Sequence, residues 1–178
     1  RGRLLLFAGS ARYPGAAILA GAASQRCGAG YTEVITAPSA VPIVQASYPS
    51  LVVHSWKDNH EGELPATSPE RPCAYVVGPG FNGENKNAAT VTYYLLGKAH
   101  APILVDGGAL GPLSMAAGQA LCKNRKAAGF TTVVTPHGGE AARLAEPFGL
   151  STNDSANLSY NLAVSYGVTV VLKGPETY

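Results

Sequence analysis

Charge is scarce in this sequence. Only 13% of its 178 residues are Asp, Glu, Lys or Arg, and they leave a formal net charge of +2. So small an excess gives no electrostatic case for nucleic acid or an anionic membrane as a partner. Cysteine is scarce too. Cys27, Cys73 and Cys122 are widely spaced, odd in number and form no CxxC. That argues against a zinc site or a disulfide framework and suits a reducing cytoplasm. No apolar run approaches the roughly 18 residues that cross a bilayer. "RLLLFAG" near the start is too short for a secretory signal and is not followed by a cleavage-like site. No Walker motif is present, so the P-loop fingerprint is missing.

What remains is apolar and punctuated. Residues of apolar type make up 46%, and the 21 Gly and 13 Pro stand between apolar runs without forming a low-complexity tract. The length suffices for one domain with a substantial core. Strands are expected at "RLLLFAG" (3–9), "YTEVIT" (31–36), "SLVVHS" (50–55), "CAYVVGPG" (73–80), "APILVDGGAL" (101–110), "TTVV" (131–134) and "VTVVLKG" (168–174). Helices are expected between them. The first is rich in small residues, with Pro14 in its first turn and Gly28 just past its end. Pro42 is expected to interrupt a short helix or turn. Residues 57–72 read as a surface loop. A helix over 84–99 would carry Ala89, Tyr93 and Leu96 on one face, and 111–128 reads as helical. "STNDSANLSYNLAVSYG" would start on Asn or Asp and stop at Gly167.

Short β-branched runs without polar alternation imply strands covered on both faces, as in parallel sheets. Strand and helix alternate throughout, which predicts a doubly wound α/β fold, a mostly parallel sheet with helices on both faces. Residues 1–178 show no internal repeat and no linker, so a single domain is expected. In such sheets ligands bind beyond the carboxyl ends of the strands. The tips there read "AGSARYPGA", "VVGPGF", "VDGGAL", "TPHGGE" and "LKGPET". Their glycines let backbone N–H groups approach a ligand, and the helix starts beside them favour phosphate. Together they point to a site for a phosphorylated or nucleotide ligand.

Individual residues carry more than one reading. Glu140 could complement the dipole of its helix or line the site. His137 faces the ligand edge and is expected to touch substrate. HxxE alone lacks a third metal ligand. Lys173 ends an apolar strand, where a cation must be paired or lie at the mouth of the site; it either reaches phosphate or snorkels outward. Asp106 could bind Mg²⁺ through water or satisfy nearby backbone donors. Tyr13 and Pro14 could wall the site or merely form a turn. His54, His60 and His100 fit no pattern.

The ordered set "AGSARYPGAAILAGAASQRCGAGY", "VVGPGF", "VDGGAL", "TPHGGEAARL" and "VTVVLKGPET" resembles the ribokinase-like dehydratases that repair hydrated NAD(P)H. The likeness runs over nearly the whole chain. It implies a substrate, NADHX or NADPHX, and a nucleotide co-substrate, ADP in preference to ATP. It also implies Mg²⁺, phosphorylation of the ring hydroxyl, and loss of phosphate to restore NADH or NADPH, chemistry that rests on positioning and charge neutralisation. Ala16, Gly80 and His137 match positions that contact the hydrated cofactor. Lys173, Gly174, Pro175, Glu176 and Thr177 match the segment that holds the nucleotide. A cytoplasmic homo-oligomer, a homotetramer, is the family expectation. Two small departures are Gly108, where the family often has a second acid, and Gly138, where it often has Pro. A larger one is the family's "GTGD", whose Asp is the catalytic base: it does not occur here, so the domain is expected to be truncated at its C-terminus and the catalytic Asp to lie outside this chain. A small-molecule kinase of the same fold and a non-catalytic nucleotide-binding module are the rival readings.

Overall fold

The computed structural model describes residues 2–57, 64–82 and 86–178. His60, the middle of the expected 57–72 loop, and residues 84–85 of the expected 84–99 helix lie outside them. Seven strands form one sheet: β1 (Arg3–Phe7), β2 (Tyr31–Thr36), β3 (Val52–Ser55), β4 (Cys73–Val77), β5 (Ile103–Val105), β6 (Thr132–Val134) and β7 (Thr169–Val170). Their spatial order is β3-β2-β1-β4-β5-β6-β7, and every neighbouring pair is parallel. The helices are α1 (Pro14–Arg26), α2 (Val41–Ser47), α3 (Lys86–Lys98), α4 (Ala116–Ala127), α5 (Gly138–Ala145) and α6 (Ser155–Tyr166).

Successive side chains of a strand point to opposite faces, and here both faces are apolar. On β1, Leu5 and Phe7 join a core that also holds Leu95 and Leu96 of α3, Cys122 of α4, Leu144 of α5 and Leu162 of α6. Leu6 and the following Ala8 join a second core with Ala17 of α1 and Val44 of α2. The expected doubly wound sheet is therefore present. Small residues bring α1 close: a Cβ on Gly21 would lie 2.6 Å from Leu51 Cδ1.

The local signals mostly hold. Pro14 opens α1, and Gly28 follows its end at φ 96°. Asp154 Oδ1 accepts from Asn157 N at 3.0 Å at the start of α6, and Gly167 closes it in the left-handed region. Some expectations need correction. Pro42 does not interrupt α2; it sits in the first turn, where its missing N–H costs nothing. The 111–128 helix is two pieces, a 3₁₀ turn at Gly111–Ser114 and then α4, with extended Met115 between them. The buried face of α3 runs through Ala88, Thr92, Leu95 and Leu96, so Ala89 and Tyr93 flank it. The described part of the 57–72 stretch is an exposed loop as expected, anchored where the Pro65 carbonyl accepts from the Tyr75 hydroxyl at 2.7 Å.

β7 is shorter than the expected 168–174 strand. The chain continues beside β6, with Val171 N donating to Val134 O and Lys173 N to Pro136 O, both at 2.8 Å. Pro136 has no N–H to return a bond, so the regular ladder lapses there. The pairing survives as an isolated bridge between His137 and Lys173. Beyond it the chain turns back, and Leu172 and Tyr178 exchange backbone hydrogen bonds. Among the described residues no helix is long and apolar enough to cross a membrane.

Candidate functional site

Because all seven strands are parallel, the glycine-rich tips share one edge. The strand order reverses direction between β1 and β4, and the crevice at such a switch point is where open α/β sheets bind ligands. Ala16 and Gly80 meet at that crevice. Gly80 has φ 73°, and a Cβ there would stand 2.6 Å from the Ala16 methyl and 2.8 Å from the Tyr13 carbonyl. The two tips are also tied directly, Gly9 N donating to Pro79 O at 2.7 Å. Tyr13 itself is exposed, at the head of α1.

The next tips carry the charged groups. Asp106 follows β5, and its Oδ1 accepts from Thr135 Oγ1 at 2.6 Å and from Lys173 Nζ at 2.7 Å. Neither reading offered for Asp106 anticipated this. Its partners are a side-chain hydroxyl and a side-chain ammonium. Lys173 is both paired and open to solvent, with 45% of its side chain exposed. That pairing links residues 67 positions apart and fixes the cation over the ends of β5, β6 and β7. The rest of the segment, Gly174, Pro175, Glu176 and Thr177, is an exposed loop beyond it.

"PHGGE" does two jobs. His137 is the N-cap of α5, its Nδ1 accepting from Gly139 N at 3.1 Å, while Glu140 Oε2 accepts from His137 N at 2.9 Å. The pair forms a reciprocal capping box. With Nδ1 accepting, the proton of neutral His137 belongs on Nε2, which lies 3.5 Å from Glu140 Oε1. The imidazole nonetheless projects, with 61% of its side chain exposed. So the helix-start reading of Glu140 holds, and His137 remains open to a ligand. Glu140 also lines a cavity of about 390 Å³, with Asn82, Gly107, Gly108, Gly111 and Arg143 on its other walls.

Gly108, where a second acid was noted as missing, explains itself sterically. A Cβ there would fall 2.4 Å from the Phe81 carbonyl oxygen. Two contributors escaped the sequence reading. Thr135 stood inside the quoted motif but looked like a strand end. Arg143, three residues after Glu140 on α5, looked like an ordinary surface cation.

A model of the NAD(P)H-hydrate dehydratase family matches residues 4–178. The chain belongs to that family. Across all of its length it is 33% identical to the ADP-dependent (S)-NAD(P)H-hydrate dehydratase of Xanthomonas campestris, of which it covers 60%. It is 36% identical over 173 residues to the bifunctional NAD(P)H-hydrate repair enzyme Nnr of Mycobacterium leprae, covering 32% of that protein. Among solved structures, the ADP/ATP-dependent NAD(P)H-hydrate dehydratase of Bacillus subtilis co-crystallised with ATP/Mg²⁺ superposes with a TM-score of 0.74 at 26% identity, over 98% of this chain and 58% of that one. The chain thus spans about 60% of the length of the monofunctional NAD(P)H-hydrate dehydratases that it matches. The fold is that of the ribokinase-like NAD(P)H-hydrate dehydratases.

Proposed function

We propose that residues 1–178 act as one ribokinase-like domain that binds hydrated NAD(P)H and a nucleoside phosphate and serves the repair of NADHX and NADPHX. The observation that carries this is the gathering of Ala16–Gly80, His137 and the Asp106–Lys173 pair along one edge of a parallel sheet, in a member of the NAD(P)H-hydrate dehydratase family. Ala16 and Gly80 leave the switch-point crevice free of side-chain bulk, so a flat nicotinamide ring can reach the backbone. His137 offers an exposed imidazole to the same ligand. The Lys173 ammonium neutralises nucleotide phosphate, and Gly174, Pro175, Glu176 and Thr177 form the exposed loop that borders the nucleotide.

In the reaction, the ring hydroxyl attacks the terminal phosphorus and the shortened nucleotide leaves. Phosphate then departs with its C–O bond, and a proton lost from the neighbouring ring carbon restores the double bond. This chain's residues bind and orient; we assign none of them as the base. Mg²⁺ fits in the way it usually accompanies nucleotides, on one carboxylate plus phosphate oxygens. Asp106 would supply the carboxylate and the ion would neutralise phosphate charge. The ADP-dependent naming of relatives supports ADP ahead of ATP. Free Cys27, Cys73 and Cys122 support a cytoplasmic setting, and a homo-oligomer rests on family membership.

The test is to incubate the complete gene product with NADHX, Mg²⁺ and ADP or ATP, with the 178-residue chain in parallel, and follow the return of reduced-nicotinamide absorbance. Return with ADP, and more slowly with ATP, is expected from the complete gene product and not from residues 1–178 alone. Nucleotide binding by the complete gene product without any return would overturn the dehydratase reading.

A further inference from the structure

The cavity beside α5 is not needed by any residue assigned above. Its walls identify what it takes. Arg143 has no hydrogen bond, ion pair or ring contact among the described residues, although it lines a partly open hollow of about 390 Å³. The carboxylate on that wall, Glu140, is already engaged by the backbone N–H and imidazole of His137. The uncommitted charge is therefore positive. Three walls, Gly107, Gly108 and Gly111, are bare backbone, and a Cβ on Gly111 would meet no atom within 4 Å. A planar guanidinium facing main chain across a small hollow suits a tetrahedral oxyanion, which Arg binds through paired N–H groups.

Position narrows the source. Glu140 joins the cavity to His137, and Phe81, packed on Gly108, joins it to the Gly80 tip. The nucleotide segment lies on the other side, past β7. We propose that Arg143 and this cavity form a subsite for a phosphate group of the dinucleotide substrate, so that Arg143 sets dinucleotide affinity and leaves nucleotide affinity alone. This rests on the functional reading above for the identity of the substrate, but not on turnover. The volume lies at the small end of ligand sites, which fits one part of a dinucleotide.

The experiment is calorimetric binding of NADH, NADPH and ADP to the full chain and to three variants. Arg143→Gln should weaken dinucleotide binding about ten- to a hundredfold, the weight of a hydrogen-bonded charge, with ADP unchanged. Arg143→Lys, which keeps charge and loses the fork, should fall between. Gly111→Leu, which fills the hollow from a position with room for a side chain, should act like Arg143→Gln. Equal losses for NADH and NADPH assign the subsite to the diphosphate; loss for NADPH alone assigns it to the ribose phosphate. The inference is overturned if Arg143→Gln binds both dinucleotides normally, if the loss falls on ADP alone, or if the unmodified chain binds neither dinucleotide. Binding that depends on Arg143 without any return of NADH in the turnover assay would sink the dehydratase reading and leave the phosphate subsite standing.

Discussion

The two edges of the sheet use their cations in opposite ways. Before β5 and β6, Arg125 is buried at 4% exposure, and its guanidinium donates to Thr132 Oγ1, Ala99 O, Ala101 O and Thr131 O. It stands over the Phe130 ring and faces no carboxylate among the described residues. Burial holds it below the ordinary arginine range, and the carbonyls satisfy the donors that burial would otherwise strand. At the far ends of the same strands, Lys173 and Arg143 remain exposed, one on a single carboxylate and the other uncommitted among the described residues. One edge spends its charge on joining turns, and the other keeps charge available for a ligand.

The sharpest way to break that contrast is to remove Arg125. Arg125→Met keeps the length of the side chain and strands several buried carbonyls, each worth roughly 1–3 kcal/mol. A stability loss of about 3–5 kcal/mol is expected in chemical denaturation. Nucleotide and dinucleotide affinities of the folded fraction should not move. A change in affinity exceeding the loss of folded protein would mean that the two edges are not independent.

Gly78 tests the other edge. It has φ 112°, and a Cβ would lie 1.9 Å from the Asp106 carbonyl oxygen. Gly78→Ala combines left-handed strain with a backbone clash, at a cost of about 2–4 kcal/mol. Relief must come from moving the Asp106 turn, which carries the partner of Lys173. Here the loss of nucleotide affinity should exceed what stability alone explains. A variant destabilised to that extent with intact affinity would detach Asp106 from the site.

The same contrast governs what could be read from the sequence. Buried strands announce themselves through unbroken β-branched runs, so "YTEVIT", "CAYVV" and "TTVV" were legible, and parallel alternation then put the glycine tips on one edge. Ala16, Gly80, His137 and Lys173 came from motifs, and the structure sets them along that edge. What escaped depended on contacts across the chain. "VTVVLKG" reads as a full strand, but its ladder lapses opposite Pro136, just past the end of β6. The helical reading of 111–128 missed the break at extended Met115, which folds Gly118 back against Pro112 and Leu113, with 2.4 Å between its missing Cβ and the Pro112 carbonyl. Arg125 and Arg143 look alike in sequence, both late in an amphipathic helix. Only the fold buries one against carbonyls and turns the other to a cavity.

The smallest effects make the finest comparison, because one local device occurs at each edge. Gly167 ends α6 ahead of β7 at φ 70°, and Glu140 closes the capping box of α5 behind β6. Gly167→Ala should cost about 1–2 kcal/mol for a side chain in the left-handed region, and Glu140→Ala about 1 kcal/mol for the lost cap. Stability therefore barely separates them. Affinity should. Glu140 fixes His137 through its backbone N–H at 2.9 Å and its Nε2 at 3.5 Å, so its loss frees the imidazole and should raise the KM for NADHX severalfold, whereas Gly167→Ala leaves KM unchanged. Glu140→Gln, which still accepts from the backbone, should recover most of the stability and part of the KM. Equal KM values for Glu140→Ala and Gly167→Ala would reduce "PHGGE" to helix-start chemistry and remove His137 from the substrate site.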